Sequence, residues 1–176
     1  MENPKRIIAP VELSEPNEKW IERFEEAKIE LENAVGNYAK SIEHMGSTSI
    51  SNLSAKPEID ILIGLDDLSD AEKCVEPLKE IGYPYYKRFE ENTPDRRYFR
   101  KSEGITPLVH VHMYEILSAT YKDHILFRDT LRAHPKIAKQ YENLKKMLLE
   151  ASGGDRGVYQ AGKAEFIQKV IDEAKS

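Results

Sequence analysis

Apolar residues recur at helical spacing early in the chain: Trp20, Phe24, Ala27, Leu31 and Val35 fall on one face, with a Glu-rich face opposite. Ser14 as N-cap, with Glu15 and Pro16 in the first turn, predicts where this helix starts, and Gly36 where it stops. Upstream, residues 1–13 read as an extended arm broken by Pro10. Beyond the helix the period changes. SIEHM reads as a short strand, GSTSISNLSAKP as a hydroxyl-rich loop and EIDILIGL as a second strand ending near Gly64. Ser69 and Glu72 form a capping box ahead of AEKCVEPLKEIG, whose Ala71, Cys74, Val75, Leu78 and Ile81 share a face; Pro77 should strain or kink that helix. Residues 83–89 and 97–101 read as strands around the polar loop EENTPD, and PLVHVHMYEI as a further strand. From Ser118 on, three helical segments follow, over ATYKDHILFRDTLRAH, PKIAKQYENLKKMLLEA and RGVYQAGKAEFIQKVIDEAK.

This pattern predicts one domain over residues 1–176: an α/β part over 1–117 and a helical part over 118–176, with no linker between them. Composition narrows the function classes. With 31 Asp+Glu against 26 Lys+Arg, the net charge of −5 argues against coating nucleic acid or anionic membrane through overall charge, though not against local basic patches. No apolar run approaches the roughly 18 residues of a membrane span, and the first residues do not read as a secretory signal. The single Cys74 excludes an internal disulfide framework and fits a reducing cytosol, so a cytoplasmic location is expected. It reads as core packing, as does Trp20. Walker A, GxGxxG, GxSxG, HExxH and zinc-finger spacings are all missing.

The residues that can carry chemistry cluster between Gly46 and Asp60. On a strand, Glu58 and Asp60 project from one side. Two such carboxylates can share a Mg²⁺ ion that keeps positions for substrate phosphates. The preceding loop offers the Ser47, Thr48 and Ser49 hydroxyls, a Gly46 backbone open to a phosphate, and the Lys56 ammonium. His110 and His112 also share one strand face. If that strand lies beside Glu58 and Asp60, the four groups can converge as ligands for Mn²⁺, Fe²⁺ or Zn²⁺, or the imidazoles contact phosphate instead; otherwise they are a hydrogen-bonded, half-buried pair. Glu115 should face the other way, and His124 and His134 read as surface or packing residues. Among the basic residues, Arg96, Arg97, Arg100 and Lys101 flank a strand, and Arg128 and Arg132 lie one helical turn apart. Tyr141 and Lys145 share a helix face, and Lys163 follows on the last helix. Some can clamp phosphates; the rest are solvated or paired, as Arg128 with Asp129.

The stretch IEHMGSTSISNLSAKPEIDILIGL resembles the GrpB family, which is also found fused to dephospho-CoA kinases. Its hallmark is His-h-Gly-Ser-Thr-(Ser/Ala) followed by Lys-Pro-h-h-Asp-h, where h is apolar. RRYFRK, HVHMYE, LFRDTLRAHP and YENLK extend the resemblance over nearly the whole chain from about residue 14. It implies an α+β, nucleotidyltransferase-like fold: a mixed β-sheet flanked by helices, with a helical C-terminal third. It also places the superfamily's Gly-Ser and acidic-strand positions at Gly46, Ser47, Glu58 and Asp60. Two departures stand out. Many relatives carry an apolar residue at position 58, and the third carboxylate expected on a later strand is replaced by His110 or His112.

The function expected from residues and resemblance together is a divalent-metal-dependent nucleotidyl transfer from a nucleoside triphosphate to an unknown acceptor. Asp60, Glu58 and His112 would be the catalytic set, and Asp60, Glu58, His110 and His112 would hold Mg²⁺ or Mn²⁺. Gly46, Ser47, Thr48, Lys56, Arg97, Arg128, Tyr141, Lys145 and Lys163 would bind the nucleotide. The alternatives are a non-catalytic nucleotide- or metal-binding accessory module and a metal-dependent phosphohydrolase using His110, His112 and Asp60. No membrane partner is expected, and a homodimer through the N-terminal arm is one way the chain can assemble.

Overall fold

The computed structural model describes residues 11–176. The arm expected over 1–13 therefore lies outside the described residues up to position 10; Val11, the first described, is buried. Five helices and four strands follow in order: α1 (Lys19–Val35), β1 (Ala39–Met45), β2 (Ile59–Leu65), α2 (Ala71–Glu80), β3 (Arg97–Glu103), β4 (Thr106–Glu115), α3 (Ala119–Ala133), α4 (Pro135–Ser152) and α5 (Arg156–Lys175). The strands form one mixed sheet in the order β1-β2-β4-β3. β1 runs antiparallel to β2, β2 parallel to β4, and β4 antiparallel to β3. The parallel pair requires a crossover, which passes through α2 before the chain returns along the edge as the β3–β4 hairpin.

Strand alternation divides the sheet into two unlike faces. Ile59, Ile61, Ile63 and Leu65 of β2, with Val109, Val111 and Met113 of β4 and Phe99 of β3, point toward α1 and α2, where Trp20, Phe24, Leu31, Cys74 and Leu78 complete the main core. The opposite face carries Asp60, Leu62, His110, His112 and Tyr98. Only part of it is closed, by Met45, Leu62, Tyr114 and Tyr121 beneath α3. A third cluster joins Ile50 and Leu53 of the hydroxyl-rich loop to Leu131, Ala138, Tyr141 and Val170, so the C-terminal helices hold that loop against the sheet. Between them and the open face lies a groove.

Several local expectations need correction. α1 starts at Lys19, whose N–H is accepted by the Asn17 side chain, while Ser14 makes an extended bridge to Ala55. That bridge uses the Ser14 backbone to align the incoming chain with the loop. The Ser69–Glu72 capping box does not form: the Asp67 carboxylate accepts from Ser69 N–H, and a 3-10 turn over Leu68–Asp70 leads into α2. α2 runs through Pro77 to Glu80. The strand expected over 83–89 is a single bridge, Tyr85 to Phe99, followed by a 3-10 turn over Lys87–Glu91; the aromatic residues there pack on the edge strand rather than join it.

Candidate active-site groove

The turn after β1 shapes one end of the groove. Gly46 has φ +72° and ψ −176°, a region open essentially only to glycine, and a Cβ added there would come within 2.6 Å of Asp60 Oδ2. The backbone thus passes tightly over the carboxylate. Ser47–Ser49 then form a 3-10 turn whose internal bonds are donated by Ser49 and Ile50, leaving the Ser47 and Thr48 N–H groups at its start without a partner inside the turn. The Thr48 hydroxyl does not face the groove. It is buried, 2.9 Å from His44 Nε2 and 3.4 Å from the Glu58 carbonyl. His44 stacks on Phe24 with ring centroids 4.6 Å apart, and burial pushes its pKa down to about 4, so the His44–Thr48 pair is a neutral strut that fixes the turn. From the other side α4 fastens the loop: Glu142 accepts from Ser54 N–H and Oγ, and Lys145 Nζ donates to the Ser54 carbonyl.

β2 and β4 place the four expected ligands on one face, with Asp60 opposite His110 and Leu62 opposite His112 in register. They sort into two unlike pairs. Glu58, one residue ahead of β2, is nearly closed off, its side chain 8% exposed. Its oxygens meet Arg156 Nη2 at 2.7 Å, His110 Nε2 at 2.8 Å and Lys56 Nζ at 3.3 Å. Burial would raise its pKa, but the His110 and Arg156 hydrogen bonds and the Lys56 charge outweigh that and hold it well below the carboxylate range. His110 is satisfied at both nitrogens, since Nδ1 lies 2.5 Å from the Tyr98 hydroxyl.

The other pair keeps unused bonding capacity. Asp60, its side chain 33% exposed, lies with Oδ1 3.7 Å from His112 Nε2, too far for a hydrogen bond, and that nitrogen is buried with no hydrogen-bond partner. Burial pushes Asp60 up, but the imidazoles of His112 and His110 and the Lys56 ammonium more than reverse this and hold it at about 2. Burial brings His112 down to about 4, against the pull of Asp60, so its imidazole is neutral at pH 7. A neutral imidazole can present Nε2 as a lone pair beside a carboxylate. This donor set fits a divalent cation whose coordination is completed by substrate oxygens. It does not fit the four-residue site expected from sequence: Glu58 and His110 are bonded to other groups, and among the described residues no cluster of three or more His, Cys, Asp or Glu has metal-holding geometry.

The groove, about 860 Å³, is lined by Gly46, Ser47, Thr48, Lys56, Glu58, Asp60, His110, His112, Arg128, Tyr141, Lys145 and Lys163 among the residues singled out from sequence. Arg97 is not among them. It pairs with Met113 in register and bonds the Pro94 carbonyl, whereas its neighbour Arg96 enters the groove with its guanidinium 5.3 Å from the Tyr98 ring. Arg128 lines the wall but is committed to Glu43 and Asp129, each at 2.8 Å, and to the His44 carbonyl. Tyr141 stacks on Phe166 and packs against Phe127, with Lys145 Nζ 5.3 Å from its ring centre. Lys163 lies over Tyr159 and, among the described residues, makes no ion pair. Burial, with repulsion from neighbouring ammonium groups, brings Lys145 down to about 7 and Lys163 to about 8. Sequence reading names Arg96 among the basic residues but leaves it out of the nucleotide-binding set, and it misses Tyr98, Arg156 and Tyr159. For Arg156 a signal existed, because Asp155 behind the Gly153-Gly154 break caps α5 and sets Arg156 at its first turn.

Residues 10–173 match the family described as GrpB protein, and the chain belongs to that family. It is 42% identical to UPF0157 protein YqkA of Bacillus subtilis strain 168, over 98% of this chain and 48% of that protein, so it spans about half the length of that relative. The crystal structure of the conserved protein GrpB from Enterococcus faecalis superposes with a TM-score of 0.83 at 35% identity, over 93% of this chain and 96% of that one. A dephospho-CoA kinase of Mycolicibacterium paratuberculosis contains a region 28% identical to 94% of this chain, covering 46% of that protein, in line with the expected fusion. The structure of Cid1 in complex with its short product ApU is similar in outline only, with a TM-score of 0.48 at 11% identity over 74% of this chain. Among the described residues no helix is long and apolar enough to cross a membrane.

Proposed function

We propose that the groove binds a nucleoside triphosphate with a divalent cation and transfers its nucleotidyl group to an acceptor hydroxyl. One observation carries this reading: Asp60 and His112, a carboxylate and an imidazole that do not bond each other, share a groove with Lys163, which makes no ion pair among the described residues. Asp60 and His112 would hold the ion, Mg²⁺ or, favoured by the imidazole, Mn²⁺. When bound, the ion neutralises phosphate charge and polarises the phosphorus that is attacked. This chain's own part is positioning. The Gly46 backbone lets phosphates approach above Asp60, with the Ser47 N–H and hydroxyl beside them. Lys56 and Lys163 face the polyphosphate, while Lys145, His44 and Thr48 keep the turn in place.

The pinning of Glu58 supports a second reading, an accessory module that binds nucleotide without turning it over, because one carboxylate in place of two is left for the ion. A phosphohydrolase using His110 at a metal has less support, since both His110 nitrogens are hydrogen-bonded. Calorimetric titration of the purified chain with each nucleoside triphosphate, with and without Mg²⁺ or Mn²⁺, tests the proposal. Metal-dependent binding that weakens at least about tenfold in Asp60→Asn supports it. Failure of every nucleotide to bind, or binding indifferent to that change, contradicts it. Pyrophosphate release across a panel of acceptors then separates transferase from module.

A further inference from the structure

Glu58, just ahead of β2, His110 of β4 and Tyr98 of β3 form a hydrogen-bonded line across the open sheet face, with 2.8 Å from Glu58 Oε2 to His110 Nε2 and 2.5 Å from His110 Nδ1 to Tyr98 Oη. The protonation pattern along this line follows from its end. Arg156 and Lys56 keep Glu58 ionised, so it can only accept, and His110 must donate to it from Nε2. Nδ1 is then the lone pair, and the Tyr98 O–H donates to it. The order carboxylate, imidazole, hydroxyl is the arrangement that turns a weak hydroxyl into a nucleophile, recognised by geometry rather than by position in the chain.

A merely structural tyrosine does not need this environment. Tyr98 lines the groove together with Asp60, His112 and Ser47, and the Arg96 guanidinium lies over its ring, where a cation stabilises developing phenolate charge. An imidazole nitrogen already at hydrogen-bonding distance can take the phenol proton as the new bond forms.

From this line of groups we infer that Tyr98 is a nucleophile that accepts the nucleotidyl group onto its own oxygen. The inference rests on the nucleotide-binding reading above. Tyr98 Oη attacks the α-phosphorus of the bound nucleoside triphosphate. The bond from that phosphorus to the bridging oxygen of the β-phosphate breaks, and pyrophosphate leaves with the electron pair. The phenol proton passes to His110 Nδ1, and the resulting imidazolium is held by the Glu58 carboxylate. The product is a phosphodiester between Tyr98 and the nucleoside monophosphate, an ester that survives denaturation and can be weighed.

The test is to incubate the whole chain with Mn²⁺ or Mg²⁺ and each of the four ribonucleoside triphosphates, then measure intact mass and map the modified peptide, with nucleotide binding titrated in parallel. The expected result is a mass gain of one nucleoside monophosphate on the peptide containing Tyr98, matched by pyrophosphate. Tyr98→Phe should gain nothing while still folding cooperatively and binding nucleotide, with a lower melting temperature because His110 Nδ1 loses its partner. His110→Gln should label at least about a hundredfold more slowly. Nucleotide binding with no mass gain overturns this inference and leaves the binding proposal standing. A gain that persists in Tyr98→Phe, or maps elsewhere, overturns it as well. Absence of both binding and mass gain overturns the two together.

Discussion

Asp60 Oδ1 and His112 Nε2 face each other across 3.7 Å from adjacent parallel strands, close enough to share one ion and too far apart to satisfy each other. The neighbouring pair, Glu58 and His110, is in contact at 2.8 Å and further locked by Arg156 and Lys56. The same strand alternation delivers both pairs to one face, but only one is left with bonding capacity. That difference is the basis for assigning ion binding to Asp60 and His112, and proton handling to Glu58 and His110.

Gly46 should tolerate no side chain. In Gly46→Ala the new Cβ would meet Asp60 Oδ2 at 2.6 Å, in a backbone region that costs about 1–3 kcal/mol for other residues. The expected outcome is a melting temperature lowered by about 4 °C or more, together with loss of metal-dependent nucleotide binding. Thermal melts and a titration check both.

Thr48 should matter to stability rather than to ligand contact. Thr48→Val keeps the shape but leaves His44 Nε2 without its partner in a buried place, at a cost of about 1–3 kcal/mol. Urea unfolding should show that loss, and nucleotide affinity measured well below the unfolding midpoint should change much less than in Gly46→Ala.

How far these residues could be read from the sequence varies with the kind of order involved. Asp60, Glu58, His110 and His112 were assignable to shared faces because strand alternation has a period of two and each pair is two residues apart. That rule does not distinguish Arg97 from Arg96, because which face of an edge strand looks inward is unknown until its partner is; Met113 opposite Arg97 puts Arg97 on the core face. The aromatic stretch 83–89 has strand composition, yet its rings pack on Phe99 and Tyr98 from a turn, a tertiary outcome that propensity does not encode. The Asp155 cap marks where Arg156 sits, but its pairing with distant Glu58, like that of Tyr98 with His110 on another strand, has no local signature.

Nucleotide affinity should fall as pH rises. Lys145 and Lys163, brought to about 7 and about 8, lose their charge across that range in the empty groove, and a bound polyanion favours their protonated forms. Binding near pH 8 should therefore take up protons, visible as a calorimetric heat that depends on the buffer's ionisation enthalpy. Lys163→Ala should both weaken binding and reduce that uptake.

Acid should destabilise the fold through His44. Its folded pKa of about 4 lies below the ordinary 6.5, so the unfolded chain binds more protons between these values. The stability is fully present above about pH 6.5 and is lost as pH falls toward about 4, on the order of 3 kcal/mol for this one residue, with buried His112 acting in the same direction. Melting temperatures at about pH 7.5 and about pH 5 should differ accordingly, and His44→Gln should flatten the difference.

A crystal of the chain grown with Mn²⁺ and a non-hydrolysable nucleoside triphosphate analogue will locate the ion and its polyphosphate. An anomalous manganese peak is expected within bonding distance of both Asp60 Oδ1 and His112 Nε2, about 2.1 Å, with the phosphates between it and Lys163. A peak on Glu58 and His110, or nucleotide bound outside the groove, would contradict it.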